Sequence, residues 1–157
     1  MLGGLKNVIT KCEQFAHEKG MTDADFISAK LAPDMFSFSR QIQISTDNAK
    51  GAVARLTGTE APKYEDTEAT FSELQARIDK TIEYIKSVPE SAFVGAAERQ
   101  VTLPYFPGKF MNGFGYALEY VVPNFFFHVT TAYAIARMNG VTLGKSDYLN
   151  GLPLQDL

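Results

Sequence analysis

The run from Asp34 to Thr57 narrows the fold more than any other stretch. Met35, Phe38, Ile42, Ser45, Ala49, Ala52 and Leu56 alternate steps of three and four, which places them on one face of a single helix. Pro33 suits the start of such a helix, and Gly58 suits its end after Arg55 and Leu56. At 1.5 Å per residue the helix would be about 36 Å long. A seam of that length needs partner helices to cover it. The small Ala49, Ala52 and Ala54 let neighbouring backbones come close.

Three further stretches supply those partners. From Leu5 to Lys19, the residues Leu5, Val8, Ile9, Cys12, Phe15 and Ala16 form one apolar face, and Gly20 follows as a stop. From Thr67 to Ser87 the stripe is Phe71, Leu74, Ile78, Ile82 and Ile85, with Asp66 or Thr67 as cap. Glu73 and Arg77 stand in the favourable i,i+4 order, worth a few tenths of a kcal/mol. The last helix starts at Pro123 and ends at Gly140. It reads PNFFFHVTTAYAIARMNG, is apolar on nearly every side, and is expected to be the most buried of the four.

Shorter pieces fill the gaps. Thr22 to Lys30 reads as a short helix capped by Thr22 with Asp25. Val88 to Gly115, rich in Pro and Gly, breaks the helical pattern, and Val101 and Leu103 alternate there as in a small β-hairpin. Phe114 to Val122 reads as a helical turn, and Val141 to Leu157 as a docked irregular tail. The expectation is one all-α domain over residues 1–157: an antiparallel four-helix bundle with an irregular or hairpin insertion before the last helix.

Composition removes several function classes. The charge balance of −3 offers no basic field for a nucleic acid. The apolar stretch Phe114 to Met138 is interrupted by Glu119, Pro123, Asn124, His128 and Arg137, so no membrane span is expected. The N-terminus lacks the apolar core of a secretory signal, and one cysteine fits a reducing compartment; a cytoplasmic location is expected. Cys12 alone cannot build a cysteine-rich zinc site, and two histidines cannot build a three-histidine one.

Chemistry-bearing residues fall on two helices. His128 sits on the apolar last helix. It is either a site for a metal or a proton, or a core histidine bonded to a neighbour. Asn124, four residues earlier, orients that ring or caps the helix. On the long helix Arg40, Gln43, Asp47 and Lys50 form a polar stripe beside the seam. The stripe either lines a pocket, with Asp47 as base or ligand, or forms a solvated face with an Asp47–Lys50 pair. A buried Asp47 would need Arg40 or Lys50 as partner. Tyr133 lines a cleft as a donor or packs with its hydroxyl in water. Phe125, Phe126 and Phe127 read as core and subunit interface, and the Lys145, Asp147 and Tyr148 segment as a lid or, preferred, a pin for the tail. Cys12, on an apolar stripe, reads as an inert buried thiol.

Five stretches carry a family resemblance: AKLAPDMFSFSRQ (Ala29 to Gln41), TDNAKGAVARLTG (Thr46 to Gly58), EATFSELQARI (Glu68 to Ile78), PNFFFHVTTAYAIAR (Pro123 to Arg137) and GKSDYL (Gly144 to Leu149). Together they resemble an uncharacterised domain-of-unknown-function family that groups with the DinB-like four-helix bundles. The resemblance implies that bundle and a homodimer. It also implies a metal site of three histidines on facing helices, used in some relatives for thiol transfer or hydrolysis. Here Ala132 stands four residues after His128, and Asp47 and Asn48 stand where the second helix would supply a histidine. The expectation is therefore a small-molecule site between the helices. Its catalytic candidates are His128, Asp47 and Tyr133, and its ligand-binding candidates Arg40, Gln43, Lys50 and Asn124. His128 and Asp47 would hold a divalent metal ion, if any, for metal-assisted hydrolysis or transfer. The alternative is a non-catalytic dimeric bundle that has lost the metal site.

Overall fold

The structure, a computed structural model, describes residues 1–155. Four long helices carry it: α1 (Leu2–Glu18), α3 (Phe38–Thr57), α4 (Phe71–Ser87) and α6 (Val122–Met138). The short α2 (Asp23–Ile27) follows α1, held by the reciprocal capping box of Thr22 and Asp25. The hairpin of β1 (Gln100–Thr102) and β2 (Phe110–Asn112) is antiparallel, with Val101 opposite Met111.

Two helix starts differ from the sequence reading. Ser37 caps α3 by accepting the amide of Arg40, so the helix begins after the turn at residues 31–36. A bridge between Lys30 and Ser37 closes that turn. At α4, Thr70 and Glu73 form the reciprocal box, which moves the start from Thr67 to Phe71. Glu73 therefore serves its own helix end, and the expected Glu73–Arg77 pair does not form.

Before α6 lie the helical turn α5 (Gly113–Gly115) and a π-helical stretch, Tyr116–Val121. The three follow without a break, capped by the side chain of Asn112. Pro123 thus lies inside a longer helical rod. In tight α winding its ring would press on the carbonyl of Glu119, and the wider π turn just before it makes room.

The four helices make two antiparallel pairs. Lys6 meets Asp79 and Glu13 meets Gln75, so α1 and α4 run oppositely. Gln41 meets His128 and Arg55 meets Tyr116, so α3 and α6 run oppositely. By contrast, α3 and α4 run the same way, since Phe38 and Phe71 share the Phe26 ring while Thr46 reaches Arg77. The connection at residues 58–70 must carry the chain back along the bundle. We call it the strap.

Leu5, Ile9, Phe26, Phe38, Ile42, Phe71, Leu74, Ile78, Val129 and Ile135 fill the core. Cys12 lies among them, and burial pushes its thiol up to about 12, so it stays protonated. The tail is more ordered than expected: α7 (Lys145–Leu149) packs on α1, where Gly4 leaves room for the Tyr148 carbonyl that a Cβ would overlap. Lys11 pairs with Asp147 at 2.7 Å and completes the pin. The last helix is not the most buried one. Phe126 is 40% exposed and Phe127 57%, because an apolar face turns outward there. No helix among the described residues is long and apolar enough to cross a membrane.

Candidate functional site

The polar stripe of α3 divides between two environments. One flank faces the strap. Its centre is Arg77 of α4, a fully buried guanidinium that the sequence reading treated only as the i,i+4 partner of Glu73. Arg77 donates from Nε to Thr46 at 2.7 Å, from Nη2 to Asp47 at 2.8 Å and from Nη1 to Glu68 at 2.9 Å. It also pairs with Asp66 at 3.0 Å and donates to the Glu65 carbonyl. Lys50 lies 3.0 Å from Asp47 and donates to the Pro62 carbonyl. Gln43 accepts from Arg40 and donates to Glu68, and Arg40 pairs with Asp66.

Arg40, Lys50 and Arg77 thus face Asp47, Asp66 and Glu68, three cations against three carboxylates. The ring of Tyr64 covers the group, with Lys50, Arg77 and Lys80 around it. At Asp66, burial works against the carboxylate, and the Arg40 and Arg77 guanidiniums overcome it and hold the group below its usual range. Gln43 and Lys50, expected as ligand-binding residues, have their hydrogen-bonding groups committed to this network.

The other flank faces the π-helical stretch. A cavity of about 160 Å³ lies there, bordered by Arg40, Asp47 and Asn48 of α3 and by Tyr116, Tyr120 and Asn124 across from them. The last three are four residues apart, which puts them on one helix face. Ile44, Arg55, Leu103 and Tyr105 complete the wall. Asn48 is 9% exposed, and its Oδ1 is buried without a hydrogen-bond partner. Arg55 donates from Nη1 to the Tyr116 hydroxyl at 3.2 Å. Gly51 leaves room for that contact, because a Cβ there would crowd the folded-back guanidinium. Burial raises the Tyr116 phenol, against the pull of Arg55, so it remains a neutral donor.

Three of the sequence candidates, Arg40, Asp47 and Asn124, therefore meet at one cavity. Asn124 neither caps the helix, which Asn112 does, nor is it the partner that fixes the His128 ring. That partner is Gln41, whose Oε1 lies 2.6 Å from Nδ1 of His128. The same amide donates to the Phe36 carbonyl. This orientation assigns the proton to Nδ1 and leaves Nε2 a bare acceptor. Burial lowers the imidazole's affinity for a proton, and the charge of Arg40 lowers it further.

The metal site implied by the DinB resemblance does not fit these residues. The structure does not assemble His128 and Asp47 into one donor set: His128 is bonded to Gln41, and Asp47 to Arg77 and Lys50. The guanidinium of Arg40, near enough to disfavour a proton on His128, disfavours a metal cation for the same reason. Among the described residues no three His, Cys, Asp or Glu side chains are grouped as ligands.

Tyr133 is not brought to the cavity. Its hydroxyl donates to the Leu143 carbonyl at 3.4 Å, as Arg137 does at 2.8 Å, and its ring meets Tyr148 edge-on. Its place is under the tail. Sequence reasoning missed Arg77, Asn48, Arg55, Tyr116 and Tyr120. For Arg77 a signal existed, since it lies three residues after Leu74 and beside Ile78 on the apolar stripe.

With this geometry in place, comparison with known protein families matches residues 1–149 to a domain of unknown function, DUF1993. The chain belongs to the DUF1993 family. Among solved structures, the DUF1993 chain is similar to the crystal structure, at 1.83 Å resolution, of a DinB family member protein from Shewanella denitrificans. The TM-score is 0.95 at 42% identity, covering 100% of this chain and 89% of that one. The DinB-like assignment of this DUF1993 bundle is thereby shown. A search of curated proteins finds no match to it.

Proposed function

We propose that this chain is a small-molecule-binding bundle whose ligand occupies the cavity between α3 and the face of Tyr116, Tyr120 and Asn124. One observation carries the reading: the buried Oδ1 of Asn48 has no partner in the protein, and Asn48 borders a cavity rich in other polar groups as well as the apolar groove beside Leu2. Buried polar atoms are normally paired, and an unpaired one costs about 1–3 kcal/mol. The reading is of binding, in a cytoplasmic protein with one reduced, buried cysteine. Metal-assisted hydrolysis or transfer is not part of it, because the donor set does not fit a cation.

A thermal-shift screen of small fragments against the wild type and Ile44→Phe tests this. Ile44 borders the cavity, and the larger ring fills it. Fragments that stabilise the wild type and not the variant support the site. Fragments that stabilise both equally, or none at all, overturn it.

A second reading concerns assembly. Phe114, Leu118, Val122 and Phe126 recur every four residues along the rod and are 63%, 53%, 42% and 40% exposed. Beside this ridge runs an apolar groove of about 470 Å³, bordered by Leu2, Ile82, Ile85 and Phe125 among others. A ridge next to a groove is self-complementary under a two-fold axis. A homodimer with this face at its interface follows.

A further inference from the structure

The cavity's wall contains one cation whose charge the network does not balance. Arg40 has Asp66, and on the strap side Lys50 and Arg77 have their own carboxylates. Arg55 has only the neutral Tyr116 hydroxyl, and among the described residues it forms no ion pair. That hydroxyl accepts from Arg55, so its own proton is free to donate. Tyr116 is 1% exposed, and its hydroxyl is placed beside the guanidinium rather than in open water. Two donors a hydrogen bond apart, one of them charged, present the pattern that suits the paired oxygens of a carboxylate.

The rest of the wall limits the body of such a ligand. Tyr116 and Tyr120 stack at 5.8 Å with 17° between their planes, and Ile44 and Leu103 add apolar surface. A cavity of about 160 Å³ is close to the roughly 150 Å³ engineered cavity that holds a benzene molecule. A phosphate dianion would bring more charge and more acceptors than one guanidinium and one phenol can satisfy.

We propose that the cavity binds a small organic carboxylate, its carboxyl on Arg55 and Tyr116 and its flat apolar body against Tyr120, Ile44 and Leu103. This rests on the binding reading above and specifies its ligand class. Gly51 leaves room for this arrangement, since a Cβ there would crowd Nη1 of Arg55 and make the guanidinium shift.

The test is calorimetric titration of the full chain with sodium benzoate, benzamide and inorganic phosphate. Benzoate is expected to bind at least tenfold more tightly than the isosteric, neutral benzamide or than phosphate. Tyr116→Phe keeps the ring and removes the donor; Arg55→Gln changes an exposed side chain and removes the charge. Each is expected to weaken benzoate at least tenfold and to narrow its advantage over benzamide, with circular dichroism confirming the fold. Equal binding of benzoate and benzamide, tighter binding of phosphate, or unchanged benzoate binding in both variants overturns the carboxylate class. If neutral fragments bind the wild type and are blocked by Ile44→Phe while benzoate does not bind, this inference alone fails and the cavity reading stands. If no fragment binds, both fail.

Discussion

Nδ1 of His128 lies 2.6 Å from Oε1 of Gln41, and the far end of that amide is tied to the backbone of Phe36. One hydrogen-bond chain thus links α6 to the turn before α3 and fixes the tautomer of the imidazole, while burial and the Arg40 charge disfavour its protonated form. Phe127 meets the ring edge-on, and Arg40 adds a positive charge nearby.

A pH dependence follows. The folded protein holds a proton on His128 more weakly than the unfolded chain, whose histidine titrates near 6.5. The stability contributed by the neutral ring is complete above about 6.5 and is lost as pH falls from there through the lower folded value. Melting temperature should drop between pH 7 and pH 5 in the wild type and drop less in His128→Gln. Parallel curves would contradict the assignment.

Arg77 should be the most costly single charge to remove. It is fully buried on α4 and bonded to α3 and to the strap. Arg77→Met should cost about 3–5 kcal/mol in urea unfolding, because it strips the partner from several carboxylates. Asp47→Asn should cost less, about 1 kcal/mol, since Asp47 is 39% exposed and Arg77 keeps Asp66 and Glu68. Equal losses would show that the network is not centred on Arg77.

The outward face of the rod makes a different prediction. Leu118 is 53% exposed, so Leu118→Glu should change folding stability within about 1 kcal/mol. Light scattering should nonetheless show a dimer in the wild type and a monomer in the variant. A monomeric wild type, or a dimeric variant, contradicts the assembly. Truncating Phe126 or Phe127 should likewise cost less than the 3–5 kcal/mol of a fully buried ring.

The bundle was legible because apolar periodicity reports directly on helices, and the hairpin because Pro and Gly punctuate it. The capping box at Thr70 and Glu73 was equally present in the sequence. Reading Glu73 as the partner of Arg77 hides it, and hides with it the network that Arg77 centres. The π-helical stretch was not legible, since its wider winding answers Pro123 and leaves no periodic signature over six residues. The cavity was half legible. Arg40, Asp47 and Asn124 were named from the helix faces. Arg55, Asn48 and Tyr116 were not, because their roles depend on which helix lies opposite and on Gly51.

The most direct measurement is a nitrogen-15 amide NMR titration of the wild type with a fragment that stabilises it. Binding between α3 and the rod should shift Ile44, Asn48, Tyr116, Tyr120 and Asn124 together and leave Tyr133 and the α7 amides unmoved. Shifts confined to the groove beside Leu2 and Ile85, or to the tail, would contradict the placement of the site.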